Sequence, residues 1–196
     1  MDTIIQIDTS ITLWLNSWVG HFPLVDMVCS YIVSDYLVPL VLSLIVLGLW
    51  FSSPDRDIRF IRQQAVFVAL LGVAFGNLTT LILNNYITRS RPFVDHPINL
   101  LFYSPTDSSF PSNPAVVAFA LANGIWLANP RVGIVAYFLA SAWSISRIYA
   151  GVSYSSDIII GAGVGISISV IIAALLGRMR PVVRILINMA RYLFIA

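Results

Sequence analysis

Five long apolar runs, at 36–51, 61–88, 111–128, 132–145 and 158–176, take up nearly half of this chain, and short polar stretches separate them. Hydrocarbon offers backbone amides no water to bond, so runs of this kind fold as helices that satisfy their own N–H and C=O groups. With 58% hydrophobic and 10% charged residues, little is left for a soluble domain. The expected fold is an all-α integral membrane protein, a bundle of five to six transmembrane helices with an amphipathic N-terminal segment and a basic amphipathic C-terminal tail. Residues 1–196 read as one membrane domain: 1–33 interfacial or a first short span, 36–177 the helical core, 178–196 the basic tail.

The flanks support that division. Asp8, Asn16, His21 and Asp26 stand among Trp14 and Trp18, a mixture suited to the headgroup region, with His21 and Asp26 expected to face solvent or headgroups. The opening residues carry no basic cluster, so no cleaved leader is expected and the spans themselves target the chain. The single cysteine, Cys29, forms no internal disulfide. The 132–145 run is short unless its helix continues a turn, which leaves Arg147 at its outer edge. In 158–176, Gly161 and Gly165 fit a small-xxx-small packing face. A homo-oligomer remains open.

All bases are arginine and all acids aspartate. If the loop holding Asp55, Arg56, Asp57, Arg59 and Arg62 after Ser52-Ser53-Pro54 is cytoplasmic, alternation puts Arg131 and the tail arginines Arg178, Arg180, Arg184 and Arg191 on the same side. Arg89, Arg91 and Arg147 then face outward, which suits a bacterial-type plasma membrane with an external or periplasmic site. An arginine inside a span costs about 2.5–3.5 kcal/mol on insertion scales, so it needs a partner, a ligand or water. Arg91, Arg147 and the helix start at Ser112 and Asn113 are therefore expected to converge on an anion. Guanidinium forks and free N–H groups at a helix start both suit phosphate. The competing reading pairs Arg91 and Arg147 with Asp95, Asp107 or Asp157 and makes them helix ties. Two histidines, one cysteine and scattered aspartates form no metal-ligand cluster. No metal, no cofactor and no nucleic acid partner is expected; membrane lipids and a lipid phosphate are.

Three blocks carry a family resemblance: Asn84, six residues, Arg91-Pro92; Pro111-Ser112-Asn113-Pro114; and Ser146-Arg147, Ser153, Asp157. They resemble, in order and spacing, the motifs of the type 2 phosphatidic acid phosphatases, a haloperoxidase-related superfamily, over about 61–177. The resemblance implies that Arg91, Arg147, Ser112 and Asn113 hold phosphoryl oxygens and that Asp157 keeps the place of the aspartate that orients the nucleophile. It also implies a degenerate member: Asn84 stands for the family's lysine, Pro114 for its general-acid histidine and Ser153 for its nucleophilic histidine. No catalytic residue is assigned. His96, on the outer loop, is the one histidine near enough in sequence to substitute, and Asp157 is expected to cap the fifth helix with Ser155 and Ser156. The leading expectation is a non-catalytic binder, carrier or flippase of a lipid phosphate such as a polyprenyl-phosphate lipid or phospholipid. The alternatives are a lipid phosphate phosphatase or phosphotransferase with altered catalytic residues, and a structural membrane partner.

Overall fold

The structure, a computed structural model, describes residues 2–53 and 55–192, with side chains described for 5–53 and 55–189. Pro54 and the side chain of Arg191 lie outside the described residues. Nine helices follow one another among them: α1 (Asp2–Asn16), α2 (Pro23–Ile32), α3 (Leu37–Phe51), α4 (Arg56–Tyr86), α5 (Pro92–Asp95), α6 (Asn113–Ala128), α7 (Pro130–Tyr149), α8 (Ser155–Arg178) and α9 (Arg180–Tyr192).

Local chemistry sets several starts. The Asp55 carboxylate accepts from the N–H groups of Asp57 and Ile58 at 2.8 and 3.3 Å and opens α4. Asn129 does the same for α7, accepting from Arg131 and Val132, with Pro130 at the first helical position.

The centre of the bundle is α6, which packs on α3, α4, α7 and α8. Its buried face is largely alanine, at Ala115, Ala118, Ala120 and Ala122, so neighbours approach closely. On α8, a Cβ added at Gly165 would lie 2.3 Å from the Val116 carbonyl, and one at Gly161 would lie 2.6 Å from the Ser112 carbonyl. The glycine pair is a close-packing face against α6, as the spacing suggested.

By length and composition, α4, α7 and α8 qualify as membrane spans, and α2 with α3 makes a fourth if that pair, bent by 53°, is one broken span. By length and composition, then, three to four of the expected five to six spans qualify among the described residues. The run at 111–128 gives a helix of 16 residues, about 24 Å against a hydrocarbon core of about 30 Å, and it is sheathed by other helices. The run at 36–51 gives 15 residues and reaches further only through α2. By contrast α7 does continue, to Tyr149, and holds Arg147 in its last turn.

Two acids of the N-terminal segment make tertiary contacts. Asp8 is buried, and Asp26, expected to face solvent or headgroups, is half-buried and accepts from the Tyr149 hydroxyl at 2.5 Å. The tail forms α9, which buries Val183 and Ile187 while Val182, Ile185, Leu186 and Met189 stay exposed. Gly151, at φ +78°, turns the chain from α7 toward α8. A small cluster of Val33, Ala150 and Val152, joined by Phe93, Leu100, Leu101 and Phe102, lays the 96–112 loop over that end of the bundle.

Candidate functional site

Arg91 and Arg147, 56 positions apart in sequence, line one cavity of about 380 Å³. Asn113 and Pro114 at the start of α6 form part of its wall, together with Asn77 of α4, Trp143 of α7, Tyr103, and the carboxylates Asp35 and Asp107. Of the groups expected to converge, Arg91, Arg147 and Asn113 share this wall and Ser112 does not. What the arginines face is less simple.

Each guanidinium already has a carboxylate. Arg91 Nη2 donates to Asp107 Oδ1 at 2.8 Å, while its Nε donates to the Asp107 carbonyl and Nη1 to the Val152 carbonyl at 2.7 Å. Arg147 Nη1 donates to Asp35 Oδ1 at 2.8 Å, and Tyr103 Oη donates to Asp35 Oδ2 at 2.7 Å. Arg147 Nε is buried without a partner, and so is Asn113 Oδ1. Pairing of Arg91 with Asp107 was the competing reading of the sequence. Asp35 was not foreseen as a partner; its one signal is a lone acid beside an apolar run, and such a residue needs a reason.

The remaining motif positions divide. Ser112 is buried, its N–H donates to the Asp157 carbonyl at 3.1 Å, and its hydroxyl has no partner; it does not line the cavity. Asn84 lies two turns beyond Asn77 on α4 and is also off the cavity wall. Ser153 is buried, lines neither polar cavity, and shares no hydrogen bond with Asp157 among the described residues. His96 packs edge-on against Tyr154 at 6.5 Å and lines neither polar cavity.

Asp157 belongs to a second constellation. Its side chain is fully buried and accepts from Arg89 Nη1 at 2.6 Å, from Ser109 Oγ at 2.5 Å and from the Tyr154 N–H at 3.4 Å. The other fork of Arg89 reaches Asp8 at 2.7 Å, and its guanidinium stacks 3.9 Å over the Tyr154 ring. Asp8 also accepts from Ser155 Oγ and from the Ser156 N–H and hydroxyl, so α8 is capped both by Asp157, through the Tyr154 N–H, and by Asp8 of α1. Burial would lower the Arg89 pKa, but Asp8 and Asp157 outweigh it and hold the guanidinium above its ordinary value. The sequence placed Arg89 on the outer face without assigning it a partner, because nothing local announces contacts to residues 68 and 81 positions away.

A second open cavity of about 570 Å³ adjoins the first and shares Arg91, Pro105 and Asp107 with it; Arg89, Phe93, Val94 and five hydroxyl residues, Thr88, Ser90, Ser104, Thr106 and Ser108, line its remainder. Among the described residues no three His, Cys, Asp or Glu side chains cluster as for a metal. The site can thus offer guanidinium, amide and hydroxyl donors to an oxyanion, with carboxylates in competition.

Comparison with known proteins fits this geometry. The family model described as the PAP2 superfamily matches residues 65–181. The chain is 32% identical over 139 residues to the bacitracin transport permease protein BcrC of Bacillus licheniformis, covering 69% of this chain and 64% of that protein. It is 24% identical over 172 residues to the undecaprenyl-diphosphatase BcrC of Bacillus subtilis, covering 86% and 83% of the two chains. The crystal structure of a transmembrane PAP2 type phosphatidylglycerolphosphate phosphatase from Bacillus subtilis shares the fold, with a TM-score of 0.66, 21% identity and coverage of 91% and 88%.

Proposed function

Since this chain belongs to the PAP2 superfamily, we propose that it engages the phosphate or diphosphate head of a membrane lipid in the cavity between Arg91 and Arg147. The observation that carries this reading is the shared cavity itself, where two arginines from distant elements meet Asn113 at the start of α6. Forked guanidinium donors match phosphoryl oxygens, and each charge-assisted hydrogen bond contributes about 1.5–3 kcal/mol. Two of the three relatives described above are named for hydrolysis of a lipid phosphate. They favour the hydrolytic alternative over a carrier or flippase, so phosphatase activity is the first to test.

Binding without turnover is the second reading, and one observation favours it. At the two positions that the family's motifs give to histidine, this chain has Pro114, which carries no titratable proton, and Ser153, which is buried away from the cavity. A degenerate member of the family in this sense would keep the phosphate-holding groups and lose the reacting ones.

The deciding experiment measures phosphate release from undecaprenyl diphosphate by the full chain in detergent micelles, with Arg147→Ala as the control. Release above background that falls about a hundredfold or more in the variant supports hydrolysis at this cavity. Thermal protection by the lipid without release supports the second reading. Neither protection nor release, across lipid monophosphates and diphosphates, rejects lipid phosphate recognition.

A further inference from the structure

We propose that Asp35 is a competing carboxylate that occupies Arg147 in place of a phosphate oxygen and thereby sets the affinity of the cavity for phosphate. The inference rests on the reading of that cavity as a phosphate site. Arg91 and Arg147 supply two positive charges to its wall, and Asp35 and Asp107 supply two negative ones, so the four cancel. A dianionic phosphate added to all four leaves the cavity two charges negative, which like-charge repulsion opposes. A carboxylate must therefore yield for the phosphate to bind.

Burial identifies which groups yield. The Arg147 and Arg91 side chains are 3% and 7% exposed, while Asp35 and Asp107 are 34% and 59% exposed. The arginines are fixed in the protein and the acids stand at its wet edge. An unpaired buried guanidinium is costly, so Arg147 always needs a negative partner, and a carboxylate on a loop meets that need when no ligand does.

Chain position sets Asp35 apart from the helices on either side. It lies in the break between α2 and α3, where the two helices bend by 53°. One side of the break is anchored, since Trp143 Nε1 donates to the buried Val33 carbonyl at 3.3 Å. On the other side Asp35 is held by Arg147 and by the exposed Tyr103 hydroxyl. Arg147 Nε, buried and unpartnered, is left over for a second oxygen that Asp35 does not supply.

The test titrates the full chain in detergent with inorganic phosphate and, separately, with a short-chain phosphatidic acid, and reads the concentration giving half-maximal thermal protection. Asp35→Asn should lower that concentration about tenfold or more for both probes, the worth of one charge-assisted contact. Tyr103→Phe, which loosens the same carboxylate without leaving Arg147 unpaired, should lower it by a smaller factor, and Arg147→Ala should abolish protection. An unchanged or weaker affinity in Asp35→Asn, with Arg147→Ala still inactive, overturns the competition and leaves the site standing. Protection that survives Arg147→Ala rejects the site itself. Should Asp35→Asn fail to fold, Tyr103→Phe decides alone, and an unchanged midpoint overturns the proposal. Protection by phosphatidic acid but not by inorganic phosphate assigns the required contacts to the lipid as well as to its head, and the Asp35 effect should then appear with the lipid alone.

Discussion

At the scale of single residues, Asp8 matters more than its place in a polar-looking N-terminal segment suggests. Burial pushes its carboxyl up, but hydrogen bonds from Ser155, Ser156 and Arg89 outweigh that and hold it below the ordinary carboxylate value. The unfolded carboxylate titrates near about 3.9, so as pH falls the unfolded chain takes up the proton first. Stability owed to Asp8 is therefore complete above about pH 4 and is lost as pH falls through the depressed folded value. Asp8→Asn should cost about 3 kcal/mol at neutral pH, the low end for a broken buried pair because Arg89 keeps Asp157. It should also flatten the acid limb of a thermal-unfolding series in detergent. An acid limb as steep as that of the unaltered chain would show that the depression contributes nothing to folding.

Among elements, the contact between α6 and α8 places the site, because the Ser112 carbonyl lies against Gly161 and the Ser112 N–H bonds the Asp157 carbonyl. A side chain at Gly161 pushes α8 off the start of α6. Gly165→Ala forces a Cβ toward the Val116 carbonyl and should destabilise by about 1–3 kcal/mol. Gly163→Ala meets nothing within 4 Å and should be neutral or stabilise by up to about 1 kcal/mol through helix propensity. Equal melting temperatures for the two variants would mean that the close approach does not hold the helices. Gly161→Ala, nearest the site, should in addition weaken phosphate protection.

For the whole molecule, the arginine distribution predicts an orientation that a labelling experiment checks. In a Cys29→Ser background, a cysteine at the exposed position 104 should react with a membrane-impermeant maleimide on intact cells, and one at the exposed position 131 only after lysis. The reverse pattern would turn the cavity to the cytoplasm. Legible in the sequence were a helical membrane chain and the small-residue contact of α8, because apolar run length and residue size are local properties; of Arg91, Arg147, Ser112 and Asn113, read together as one site, Ser112 lies off the cavity wall the others share. Helix packing was less legible: a run records apolarity, not whether lipid or other helices surround it, and α6 is wrapped by its neighbours. The tertiary structure alone decided the partners of the charges. Asp35 on Arg147, and Asp8 and Asp157 on Arg89, join residues 112, 81 and 68 positions apart. Buried charges must be neutralised by whatever the fold brings within hydrogen-bond reach, and sequence spacing carries no record of that distance.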